Sequence, residues 1–179
     1  KATQVAAMQT ADLVKLSTDA IAALNSSAVS ALTTSQIAAL TTSQAVALTT
    51  DQIKQLGTAQ VVALTSAQAS VLTSDQVSVL SATQVSKLET ADLAKLSTTA
   101  VAALSSAQTR SLTTDQVVAL STAQAAALST TSAAALTSAQ VAALETADLA
   151  KLSTDAIVAL TTTALRGLGS DQVAALTTG

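Results

Sequence analysis

Leucine stands at every eighth residue of this 179-residue chain from Leu16 to Leu176, with no insertion or deletion to break the count. Met8 takes the one earlier place in that register. A period so short and so strict calls for a repeat architecture, in which every unit buries its leucine alike. It also rules out one long helix. At roughly 100° per residue, eight residues overshoot two turns by about 80°, so the leucine stripe would circle the helix within five repeats. Coiled coils need periods of seven or eleven. A β-solenoid is the closer rival, given the many Thr and Val residues. Yet Leu and the aliphatic residue five places later would point to opposite sides of a strand. With only 4 Gly, and with Ala and Gln abundant, strands are also disfavoured.

The chemistry of one octad favours a helix start. The residue after each Leu is nearly always an N-cap type, as at Ser17, Asn25, Thr33, Thr41 and Thr49; Gln9, Gly57, Gly169, Glu89 and Glu145 are exceptions. Three residues after the cap comes Gln in most octads, as at Gln36, Gln52, Gln116 and Gln140. One residue further comes an aliphatic side chain, such as Ile37, Ile53, Val117 or Val141. This is a capping box with a hydrophobic staple. The cap hydroxyl accepts the N–H three residues on, the Gln reaches back to the cap N–H, and the preceding Leu packs on the fourth residue. Leu48-Thr49-Thr50-Asp51-Gln52-Ile53 carries every part.

Charge placement gives the same answer independently. All 11 acids stand at the cap or in the first turn, and the bases, Lys1 apart, stand in the last turn, one or two residues before the leucine. Anions at N-termini and cations at C-termini are what a helix dipole favours. The expectation is therefore an all-α fold, an α-solenoid of very short helices with one per 8-residue repeat. A helix of about seven residues spans about 10 Å and cannot stand alone in water. Its stability has to come from stacking on neighbouring octads. Small residues beside the leucine, such as Ala23, Ala39 and Ala63, let such helices approach closely.

Residues 1–179 read as one continuous array of about 22 repeats, cut from a longer protein or fibre. The stretch 89–98 equals 145–154 letter for letter, with a near-copy at 9–16. These cassettes lie ten and seven octads apart, so they record duplication and leave the number of octads per superhelical turn open.

Composition narrows the functional classes. There is no Cys, His, Pro, Trp, Tyr or Phe, so a thin aliphatic core is expected, with no thiolate or imidazole metal site and no histidine-activated serine. Mean hydropathy is +0.51, but Ser or Thr interrupts every octad and no membrane-length apolar run exists. Net charge is −3, without the clustered bases that phosphate binding needs. The pairs Glu89/Asp92 and Glu145/Asp148 read as first-turn carboxylates rather than a cation or acid–base site. Gly167 and Gly169 do not form a phosphate loop; Gly169 is a tolerated cap in a weakened or terminal unit. Asn25-Ser26-Ser27 fits a glycosylation sequon. The pairs Thr49/Thr50, Thr113/Thr114 and Thr161/Thr162 raise an ice-binding reading, although their hydroxyls already have a capping role. No catalytic residue, cofactor-binding residue or metal ligand is expected.

Two resemblances bear on function. The run 112–120, LTTDQVVAL, resembles the helix start of TAL-effector DNA-binding repeats, but the octad period and the acidic charge confine the likeness to capping chemistry. The run 31–53, ALTTSQIAALTTSQAVALTTDQI, resembles octapeptide tracts of very long bacterial surface or secreted proteins of adhesin- or haemagglutinin-like type. That second resemblance covers essentially the whole chain. It implies an extracellular or cell-surface rod, stalk or filament component, not an enzyme. Both ends of such an array present the same octad face, so head-to-tail self-association into filaments is a further expectation, with no nucleic acid, membrane insertion or small-molecule substrate. The alternative is a binding module that presents an outer Ser/Thr/Gln surface to a glycan, ice or a protein.

Overall fold

A computed structural model describes residues 2–177. Among the described residues there are 22 short helices and no strand, from Ala2–Ala6 to Ser170–Thr177, one helix to each octad. The all-α solenoid expected from the caps is the fold. Lys1, the base that breaks the charge rule, lies outside the described residues.

The helices are shorter than the octad allows, mostly four to six residues, because each octad must also turn the chain. In the octad 33–40 the helix is Thr34–Ala39. Its last turn tightens, with Leu40 N–H donating to the Ile37 carbonyl at 3.2 Å. Leu40 then adopts φ −54°, ψ 136°, and the next cap, Thr41, adopts φ −67°, ψ 160°. Two extended residues thus redirect the chain between helices. Both conformations suit ordinary L-residues, and among the described residues none, glycine included, has positive φ. That is why the array needs neither Gly nor Pro at its corners.

Position 8 of each octad is the leucine, position 1 the cap, position 4 the usual glutamine and position 5 the aliphatic residue. Positions 4, 5 and 8 are buried, as at Gln52, Ile53 and Leu56, while positions 1, 3 and 6 face solvent. The core is accordingly a narrow column of Leu, Ile, Val and Ala running the length of the superhelix.

Each helix packs on the helix three octads away; Ala82–Lys87 meets Ser106–Ser111, and Ser106–Ser111 meets Thr130–Ala135. The stacking has a direction. At the N-terminal end Met8, Leu16 and Leu24, all at position 8, are only partly buried, whereas Leu13 and Ile21 at position 5 are fully buried. At the C-terminal end the pattern reverses: Leu165 and Val173 at position 5 are 39% and 48% exposed. Position 8 is therefore covered by the preceding turn and position 5 by the following one.

In two of the duplicated cassettes position 5 is Leu, at Leu93 and Leu149, both fully buried. The helices three octads before them, Ser66–Ala69 and Thr122–Ala126, carry Ala69 and Ala125 at position 5. A large and a small position-5 residue thus stand in stacked helices at both places.

Glycine plays two different parts. Gly57 caps its helix with φ −70°, ψ 160°, as Thr49 does with φ −70°, ψ 159°, and a Cβ there would meet only Gln60 Oε1 at 3.7 Å. Gly57→Thr should supply the missing cap hydroxyl and reduce unfolded-state freedom. A gain of about 0.5–1 kcal/mol is expected, read as a shift in the denaturant midpoint without a change in slope. Gly167 serves packing: a Cβ there would overlap the Ser138 backbone, 2.8 Å from its carbonyl carbon. Within the stretch that the sequence marks as a weakened or terminal unit, Gly167 permits an unusually close approach of two turns.

Candidate functional site: a buried glutamine ladder

The feature that organises the molecule is position 4. In octad 49–56, Thr49 Oγ1 accepts the Gln52 N–H at 3.3 Å and Gln52 Oε1 accepts the Thr49 N–H at 2.8 Å. This is the capping box expected from the sequence. The amide nitrogen of the same side chain does a second job. Gln52 Nε2 donates to the carbonyls of Ile21 at 2.9 Å and Leu24 at 2.7 Å, residues 31 and 28 positions earlier in the chain. Each glutamine thus starts its own helix and ties off the end of a helix in the turn below.

The pattern repeats at Gln36, Gln44, Gln52, Gln60, Gln68, Gln76 and Gln84 without a break, then at Gln108, Gln116, Gln124, Gln140 and Gln172. A separation of 28 to 31 residues places the stacked partner between three and four octads back. That fixes the superhelical repeat which the sequence left open.

The ladder removes a cost that short helices would otherwise carry. A helix leaves its last carbonyls without intrahelical donors, and in a stack of such helices many of those carbonyls are buried. The glutamine amide reaches two of them at once. Gln36, Gln44, Gln52, Gln68 and Gln116 are each no more than 2% exposed, and no buried side-chain nitrogen or oxygen among the described residues lacks a partner. The outer Ser/Thr/Gln surface considered from the sequence must therefore be corrected. These glutamines face inward, and the outer surface is Ser, Thr, Ala and scattered charge, with exposed position-6 valines such as Val46, Val118 and Val158.

Where position 4 is not glutamine, the ladder changes. Ser132 Oγ donates to the Leu104 carbonyl at 2.9 Å and preserves one rung. Asp92 and Asp148 belong to the first turns of their helices, as read from the sequence, but they are buried at 3% and 2% exposure rather than solvated. An ionised carboxylate has no N–H to offer a carbonyl; Asp92 Oδ1 instead accepts the Ser66 hydroxyl at 2.6 Å. The signal for this was present in the octad register, since Asp92 and Asp148 stand where other octads have Gln. Glu89 and Glu145 occupy cap positions but make no side-chain cap bond. The structure brings neither Glu89 with Asp92 nor Glu145 with Asp148 into a cation cage, and no group of three or more potential metal ligands occurs among the described residues.

The remaining candidates sort similarly. Asn25 is a working cap, its Oδ1 accepting the Ala28 N–H at 2.9 Å. Thr49, Thr113 and Thr161 each accept a first-turn N–H, at 3.3, 3.1 and 3.1 Å. The only ion pairs among the described residues are Lys15–Asp12 and Lys54–Asp51, each within one exposed turn; such pairs contribute little. No helix of the described residues is long and apolar enough to cross a membrane.

No curated protein matches the chain. A family model for the ALTTAQ repeat matches residues 5–42, 31–58, 45–82, 85–122 and 141–178. Four of these matches begin at position 5 of an octad, at Val5, Ala45, Val85 and Val141, in the same register as the leucines and the ladder. Together they cover most of the chain, which belongs to the ALTTAQ repeat family.

Proposed function

We propose that this chain is a non-catalytic structural rod: a stalk or filament segment that sets distance, working outside the cell or at its surface. The observation that carries the reading is the uniform, directional stacking of octads. Every turn presents position-5 aliphatics and open carbonyls forward, and position-8 leucines with position-4 amides backward. A stack of this kind grows by adding identical units, within one chain or by head-to-tail contact between copies. Its side chains are consumed by capping, core and ladder, which leaves a small-residue surface with no convergent reactive groups. The extracellular setting rests on the resemblance to octapeptide tracts of bacterial surface proteins.

A rod whose units are equivalent should tolerate loss of whole units. Removal of residues 57–64, one octad, preserves the leucine period and gives the few octads whose partners lie across the cut new but equivalent ones. The shortened chain should remain helical and cooperative, with a proportionally shorter maximum dimension in small-angle X-ray scattering. Removal of 57–60 alone should unfold the array around the cut. If both deletions were tolerated equally, the octad would not be the structural unit and the rod reading would fall.

A further inference from the structure

We propose that the rod has a built-in parting plane, at which residues 145–177 open away from residues 105–144 as one unit while the glutamine-tied turns stay closed. The plane is a gap in the ladder. Octads 145–152, 153–160 and 161–168 carry Asp148, Ala156 and Ala164 at position 4. Glutamines there would reach 28 residues back to the carbonyls of Leu120, Leu128 and Leu136. Among the described residues, no hydrogen bond reaches any of these three carbonyls. A turn holds between three and four octads, so three missing rungs in succession remove nearly a whole turn of ties. Among the described residues, the side-chain hydrogen bonds that cross the plane are those of Gln172, to Val141, Ala142 and Leu144 at 2.9, 3.5 and 2.7 Å. By contrast, the carbonyls of Met8, Leu16 and Leu24 accept from Gln36, Gln44 and Gln52 at 2.7, 2.8 and 2.7 Å. From there the ladder runs unbroken to Gln84.

The physical chemistry favours opening here. A carbonyl stacked away from water without a donor has lost its hydration and gained nothing in return, and an opening that rehydrates it removes that cost. Asp148, 2% exposed, adds a charge to the same plane, and its ionised carboxylate has no N–H to give. The apolar contact is also thinner. Below the plane, position 5 is Val117, Ala125 and Ala133, where the tied octads 17–40 have Ile21, Val29 and Ile37. Above it, Leu168 is only partly buried, although every position-8 leucine from Leu32 to Leu160 is buried. Gly167 meets the Ser138 backbone across the plane, but contact at one point does not supply the missing donors. The cassette at 89–98 interrupts the ladder less. Asp92 and Ala100 leave out two rungs, Gln108 and Gln116 follow at once, and the Ser66 hydroxyl holds Asp92. The use of such a plane, as the place where a loaded stalk gives way first, rests on the rod reading; the opening itself does not.

The test is hydrogen exchange of the full chain, read by mass spectrometry. Helices Thr154–Ala159 and Thr162–Leu165 should be protected at least about tenfold less than Thr50–Lys54 and Thr58–Val62. Thr154–Ala159 should also fall about tenfold below Thr18–Ala22, which lies as near to the other end of the chain but is held by Gln52. Fraying alone would treat both ends alike, with protection falling smoothly toward each, and that result would overturn the plane. Asp148→Gln supplies a donor for the Leu120 carbonyl and should raise protection across 145–168 about threefold or more. Gln52→Ala, Gln60→Ala and Gln68→Ala together remove three successive rungs and should create a second plane, lowering protection of Thr50–Lys54 and Thr58–Val62 about tenfold. No gain in the first variant, or no loss in the second, would each overturn the proposal. Asp148→Gln moves toward the ladder's own residue, so it decides the matter even where the triple variant does not fold. The octad deletion can fail while these exchange results stand, and the reverse, so the rod and the plane are tested separately.

Discussion

Gln76→Glu should destabilise the array by about 3–5 kcal/mol at neutral pH, more than Gln76→Ala, which should cost about 1–3 kcal/mol. Gln76 is 3% exposed. Its amide nitrogen donates to the carbonyls of Ala45, Val46 and Leu48 at 2.9, 3.1 and 2.7 Å, while Oε1 accepts the Thr73 N–H at 2.9 Å. Glutamate has the same shape but replaces the donor with a charged oxygen, pressed against carbonyl oxygens in a dry column. Alanine only deletes the rung, a change the chain already carries at Ala100 and Ala156. The ranking separates two roles for the side chain. A residue that served only the capping box would work equally well as Glu or Gln. Denaturant unfolding of the two variants, compared at one pH, gives the order directly. Glu less harmful than Ala would mean that the tie to the turn below contributes nothing.

Leu93→Ala should cost about 3–5 kcal/mol, and should do so locally. Leu93 is fully buried and packs its helix, Thr90–Leu93, between Ser66–Ala69 and Thr114–Val118. The helix three octads before it carries only Ala69 at position 5, so truncation would leave a cavity in the column. Asp92 holds position 4, so this octad sends no glutamine to the turn below, although Gln124 ties its Leu93 and Leu96 carbonyls at 2.9 and 2.8 Å from the turn above. In a stack where units touch only near neighbours, the loss should stay near the cut. Hydrogen exchange should show lost protection from about residue 61 to residue 124, with helices such as Thr34–Ala39 and Thr154–Ala159 keeping theirs. Ala69→Leu added to Leu93→Ala should recover part of the stability, because the large side chain then comes from the other side. An exchange pattern that collapsed uniformly from end to end would show a single cooperative core instead of a stack.

The buried acids mark the boundary between the two kinds of information. The octad register places Asp92 and Asp148 at position 4, yet helix-dipole reasoning reads them as surface carboxylates, because it concerns a single helix in water. Their burial follows from a neighbouring turn lying over position 4. The same reason explains Gly167, whose contact with Ser138 in another turn nothing in its own octad announces.

The sequence by itself determined the octad, the helix start at each cap, the inward face of positions 5 and 8, and the absence of an uninterrupted helix. All of these depend on interactions within eight or nine residues, so they can be read along the chain. The tertiary structure decided how many octads make a turn, which turn each leucine faces, and the second use of glutamine. Those depend on residues 28 to 31 apart, where the turn angle accumulates over several caps and corners. A glutamine three residues after a cap looks the same in sequence whether its amide nitrogen meets water or a carbonyl. Only the turn stacked against it supplies the carbonyl.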